Sequence, residues 1–196
     1  QRHSDHIDKM AARVAQLQLL LKQHAIDDAA LQRFSQLTQS YQQSFTELVS
    51  QQQRLGLTPE DGVLGELRAA ARQIEQRFDG LARDELMVLL LQLRRAEKDF
   101  LLRKDLAYQQ QFANIIAQLT PQITADGDSS RLIQQYQQSF DALVSASQQM
   151  GLDETQGVTG VMRKAIQSTE ESLKALQAQT NDAISTAVKN TQQLAL

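Results

Sequence analysis

The densest chemical feature of the chain is the run Leu93-Arg94-Arg95-Ala96-Glu97-Lys98-Asp99-Phe100-Leu101-Leu102-Arg103-Lys104-Asp105, in which Arg94, Arg95, Lys98, Arg103 and Lys104 are cationic. On a helix Arg95 and Asp99 stand four apart and can pair, while Arg94 and Lys98 can meet acids on neighbouring helices. One reading is a solvated, charge-laced face. The other comes from the apolar stripe, which steps from Phe100 to Ala107 and puts Arg103 or Lys104 where a core residue belongs. A cation facing a bundle interior needs an anion to meet it. Planar guanidinium groups grip carboxylates in bidentate fashion, so several arginines around an interhelical pocket suit a small organic acid.

Two further cations, Arg68 and Arg163, occupy matching places in a duplicated segment. Tyr41-Gln-Gln-Ser-Phe45 followed by Leu48-Val49-Ser50 returns 95 residues on as Tyr136-Gln-Gln-Ser-Phe140 and Leu143-Val144-Ser145, and 15 of the 28 positions from Tyr41 to Arg68 are identical in the second copy. Such a match marks an internal duplication, and two copies fit two modules of one domain rather than a solenoid. Gly62, Gly65, Gly157 and Gly160 recur with it. Their spacing is not that of a phosphate loop, and close helix approach is the expected reason for them. Tyr41 and Tyr136 read as half-buried core residues with the hydroxyl at the edge. His3 and His6 share a helix face and form a weak metal candidate, while His24 reads as a helix C-terminal residue. No nucleophile, base and acid set and no metal-spaced cluster stands out, so no enzyme and no cofactor are expected.

These residues need long helices to hold them. Two prolines, eight glycines, no Trp and abundant Ala, Leu, Gln, Glu and Arg in 196 residues describe an all-α chain, and 41% apolar residues suffice for a core. Twenty basic against 23 acidic residues, net -3, give no reason to expect nucleic acid as a partner. With no Cys, disulfides and thiolate sites are excluded. The longest unbroken apolar run, Leu86 to Leu91, falls far short of the roughly 20 residues that span a bilayer.

The joint Leu55-Gly56-Leu57-Thr58-Pro59-Glu60-Asp61 reads as a helix stop at Gly56, a cap at Thr58 and a first helical position at Pro59; Gly151 and Asp153 repeat the pattern. Both joints read as tight hairpins. Softer breaks near residue 26, at Gly80 and across 125–130 leave six segments, about 3–24, 28–55, 59–79, 82–120, 130–150 and 154–196. Apolar residues from Leu86 to Leu119 recur mostly every three to five positions with no Gly or Pro between them, so 82–120 is expected as one helix of about 60 Å running through both modules. The expected architecture is two stacked up-and-down bundles sharing that helix, the first module being 1–103 and the second 104–196.

The motif Arg95-x-Glu97-Lys98-Asp99-Phe100-Leu101-Leu102-Arg103-x-Asp105-x-x-Tyr108, set in a Leu-, Gln- and Ala-rich helical chain with a duplicated half, resembles the helical bimodular sensor domains of bacterial methyl-accepting chemotaxis receptors over most of its length. The resemblance implies two stacked four-helix bundles in the periplasm, carried between two transmembrane helices of a homodimeric inner-membrane receptor. It also implies a small carboxylate ligand held by arginines, for which Arg94, Arg95, Arg103 and Arg163 are counterparts, with Lys98 and Arg68 as further candidates. One departure stands out. Carried back by the repeat offset, the arginine motif falls across Gln1 to Met10, which does not reproduce it, so the first helix is expected to begin before Gln1. A histidine-kinase sensor carries looser versions of the same motif and is the nearest alternative. A spectrin-like helical scaffold is the alternative from another class: a sensor buries arginine around a pocket, whereas a scaffold has an all-apolar seam and exposed charges.

Overall fold

The computed structural model of the chain describes residues 29–194, together with Ala12, Ala15, Gln16 and Leu19. The described residues are helical throughout apart from short connections, as composition requires. From Ala29 onward six helices follow one another: α1 (Ala29–Leu55), α2 (Gly62–Leu81), α3 (Asp84–Arg103), α4 (Ala107–Ile123), α5 (Gly127–Met150) and α6 (Gly157–Leu194). Of the expected segment 3–24 only Ala12, Ala15, Gln16 and Leu19 are described, all of them helical, and His3, His6 and His24 lie outside the described residues.

The chain divides into two compact units, one made of Glu47–Gly160 and the other of Gln1–Thr46 with Val161–Leu196. The division expected at residues 103 and 104 falls inside the first of these.

The unit 47–160 is an up-and-down bundle of α2 to α5. Helix α2 packs on α3 and α5, and α4 packs on the same two, which closes the ring of four. Its core is drawn from one face of each helix: Leu67, Ala71, Ile74 and Phe78 of α2; Leu86, Leu90, Leu93, Ala96 and Phe100 of α3; Phe112, Ile115 and Leu119 of α4; and Tyr136, Phe140 and Leu143 of α5. Phe112 stacks on Phe140 with ring centroids 4.1 Å apart, and Phe100 and Tyr136 meet this pair edge-on at 5.7 and 5.2 Å.

The single helix expected over 82–120 is two antiparallel helices. Helix α3 ends at Arg103, Lys104 takes the left-handed conformation (φ 54°, ψ 30°), and its N–H still reaches the Phe100 carbonyl at 2.8 Å. The side chain of Asp105 accepts the Ala107 N–H at 2.9 Å and so covers an open donor at the start of α4. The physical reason lies in the phase of the stripe. A straight continuation from Phe100 would bury Lys104, Ala107 and Gln111, whereas Phe112, Ile115, Ile116 and Leu119 sit roughly 60° to 160° around from that line. Reversing the chain lets both faces share one core.

At the duplicated joints Gly56 (φ 119°) and Gly151 (φ 117°) end α1 and α5 as expected, but the next helices begin later, at Gly62 and Gly157, with φ of 54° and 57°. Thr58 donates to Asp61 Oδ2 at 2.8 Å inside a turn instead of capping a helix. A Cβ on Gly65 or Gly160 would meet the carbonyl of Glu60 or Thr155, so these glycines admit the joint's own backbone rather than a neighbouring helix. Neither joint forms the expected hairpin within the unit 47–160, where α2 and α5 pack on each other and on α3 and α4.

In the other unit Leu31 and Phe34 of α1 are buried with Leu176 of α6 against them. Along α6, Leu173, Ile184 and Val188 are exposed.

Candidate functional site

The cation-rich run occupies the second half of α3 and the turn after it. Glu97 projects inward and is only 3% exposed, a carboxylate set among Leu, Phe and Ala. Burying such a charge is costly unless its oxygens are met. Tyr136, fully buried on α5, donates its phenol proton to Glu97 Oε2 at 2.5 Å, and Lys98 reaches Oε1 at 2.7 Å from the solvent side. Burial, and then the nearby Glu97 charge, push the Tyr136 phenol well above its usual range, so it stays a neutral donor; Arg94 pulls weakly the other way. The sequence reading placed this hydroxyl at an edge, whereas it is fully enclosed.

Two of the remaining cations of the run are exposed. Arg95 and Arg103 share one carboxylate, Asp99, at 3.8 and 3.9 Å, distances of loose ion pairs. Arg103 also donates to the Tyr108 hydroxyl at 2.8 Å, with its guanidinium 5.7 Å from that ring's centre. Lys104 lays its ammonium 5.6 Å over the Phe100 ring, and partial burial lowers its pKa. Arg94 is half-buried and has no ion-pair partner among the described residues. Arg68, half-buried on α2, is engaged by Glu60 of the joint before it, and Arg163 stands exposed on α6. The structure thus gathers Arg94, Arg95, Lys98 and Arg103 on one helix and leaves Arg68 tied to its own joint.

What this arrangement can do is attract and hold an anion at the surface of α3. From 94 to 105 five cations stand against Glu97, Asp99 and Asp105, and Glu97 is turned inward. Two grooves elsewhere are large enough for a small molecule, one of about 420 Å³ between α2 and α5 and one of about 290 Å³ between α1 and α6. None of the six predicted cations lines either. Among the described residues no three His, Asp or Glu side chains come together as a metal site.

A stronger pair lies at the opposite end of the bundle, where sequence reasoning named nothing. Arg77 grips Asp126 through Nε at 2.9 Å and Nη2 at 2.6 Å, and Ser129 donates to the same carboxylate. The Arg77 and Ser129 bonds hold the Asp126 carboxyl down to about 2. With both partners committed to each other, the pair fastens α2 to the start of α5 and offers no vacant valence to a ligand. Its residues are 49 apart in the chain with no repeat pattern between them, so nothing in the sequence announced it. Compared with protein-family models, with curated proteins and with solved structures, the chain finds no match in any of the three.

Proposed function

We propose that the chain is the periplasmic sensor module of a bacterial chemoreceptor that binds a small organic acid and passes the signal to the membrane through flanking helices. The observation that carries this reading is the unbalanced charge on α3: Arg94 half-buried with no ion-pair partner among the described residues, and Arg95 and Arg103 sharing one carboxylate at loose range. A di- or tricarboxylate would replace those loose contacts with charge-assisted, bidentate ones. The resemblance of the motif ending at Tyr108 to chemoreceptor sensor domains points the same way, and with it a homodimeric receptor of the inner membrane.

A second reading rests on the outward placement of Arg95, Lys98 and Arg103 and on the exposed Leu173, Ile184 and Val188 of α6. Both features suit a helical protein that binds other proteins and no small ligand.

Thermal melting against succinate, citrate and acetate separates the two. A ligand about 100-fold above its dissociation constant adds about 2.7 kcal/mol, which raises the melting temperature by roughly 5 to 11 °C in a domain of this size. Arg94→Ala should weaken binding by about 2 kcal/mol. No shift with any small acid, or unchanged binding after Ala replaces Arg94, Arg95 and Arg103 together, leaves the protein-binding reading.

A further inference from the structure

The duplicated Tyr-Gln-Gln-Ser-Phe motif is only half explained by the core. Tyr136 and Phe140 are buried against Phe112, which accounts for the aromatic residues. Gln138, exposed, and Ser139, half-buried, line the groove between α2 and α5 instead. Both are retained from the first copy as Gln43 and Ser44. Among the described residues the side chains of Gln138, Ser139 and Gln73 have no hydrogen-bond partner, which leaves them open to a ligand.

The groove itself has a built shape. Ala69, Ala70 and Ala142 are its small lining residues, Ala70 buried and the other two exposed, and about 420 Å³ is open between the walls. At the places corresponding to Ala69 and Ala142 the other copy carries Lys164 and Glu47, so this small lining belongs to this copy alone. Glu66 is the one charged side chain of the lining, and Val161 replaces it in the other copy. From Glu66 to Gln73 the wall is about 10 Å long, two turns of helix. At its far end Gln135 accepts a long bond of 3.4 Å from Arg131, which is itself paired with Asp128.

We propose that this groove is a second binding site, for a hydroxyl-rich primary amine of the size of an amino sugar. Its ammonium group sits on Glu66, and its hydroxyls exchange hydrogen bonds with Gln73, Gln138 and Ser139, whose amides and hydroxyl can both donate and accept. Carboxylates are repelled by Glu66, so the site is distinct in ligand class from the cations of α3. It stands independently of the sensor reading.

The test is calorimetric titration of the 196-residue protein with glucosamine, with glucose as the uncharged comparator. Glucosamine should give a saturable isotherm and glucose one about fivefold weaker, the contribution of an exposed ion pair. Glu66→Gln should erase that preference while leaving melting unchanged. Ala142→Leu should narrow the groove and abolish both isotherms, and Arg94→Ala should alter neither. Absence of saturation with glucosamine at tens of millimolar overturns the proposal, as does an undiminished preference in Glu66→Gln or undiminished binding in a folded Ala142→Leu protein.

Discussion

Tyr136 and Glu97 meet across the bundle core, phenol to carboxylate at 2.5 Å, from residues 39 apart in sequence and on helices that are not chain neighbours. The bond satisfies a carboxylate that would otherwise destabilise its own core. Removing one partner is therefore worse than removing both. Tyr136→Phe should cost about 1 to 3 kcal/mol in urea unfolding, since Glu97 is left facing a ring edge. Adding Glu97→Leu to it should recover much of that loss, because an apolar pair of similar size costs no desolvation. Strict additivity of the two substitutions would show that the bond has no coupling energy. Alkaline pH should reveal the same bond. The folded phenol has a raised pKa, so its contribution is complete below the unfolded value of about 10 and declines as pH rises past it.

Acid should act on the opposite end of the bundle. Asp126 has its pKa lowered to about 2 by the Arg77 and Ser129 bonds. The unfolded carboxyl takes up its proton near pH 3.8 and the folded one near 2, so the stability this pair contributes is present above about 4 and lost as pH falls through 2. Arg77→Met should accordingly lower the urea midpoint at pH 5 and by much less at pH 2. An equal deficit at both values would mean that Arg77 acts through packing alone.

The turn after α3 can be tested at Lys104, which holds φ at 54° with a side chain attached. Left-handed geometry costs a side-chain-bearing residue about 1 to 2 kcal/mol, and the extra freedom of glycine in the unfolded chain returns about 0.4 to 1. Lys104→Gly should therefore gain roughly 0.5 to 1 kcal/mol. Lys104→Val should lose stability, because β-branching is least tolerant of positive φ. A continuous helix through 103–105 would reverse the sign for Lys104→Gly, since glycine is the poorer helix former.

That turn also marks the limit of what the sequence disclosed. Helical class, the joints at Gly56 and Gly151 and the breaks near 80 and 125 were legible because glycine and composition act locally. The reversal at 104 was not, since it uses Lys104 and Asp105 in place of glycine, and the spacing of three to five hid a stripe that changes phase between Phe100 and Phe112. The cation run was legible as a cluster. Its orientation was not: which of Glu97 and Lys98 turns inward depends on where Tyr136 stands, and that is fixed only once four helices close on each other. The Gln138 and Ser139 face was equally hidden, because a repeat shows that residues are kept and not which way they point.

The duplicated joints allow a prediction made twice in one molecule. A Cβ on Gly56 would stand 2.2 Å from the Asp61 carbonyl oxygen, and one on Gly151 would stand 2.2 Å from that of Gln156. Both glycines also hold φ near 118°, at 119° and 117°, where a side chain is strained regardless of space. Gly56→Ala and Gly151→Ala should each destabilise by about 2 kcal/mol or more, and by similar amounts, because the backbone oxygen in the way belongs to the turn itself and cannot step aside. Gly80 supplies the contrast. It lies in the last turn of α2 with nothing within 4 Å of an added Cβ, so Gly80→Ala should stabilise by about 0.5 to 1 kcal/mol through helix propensity. Denaturation of the three variants side by side would settle the matter: a tolerated alanine at either joint would mean that its turn can open, and that the two copies of the repeat no longer share one backbone solution.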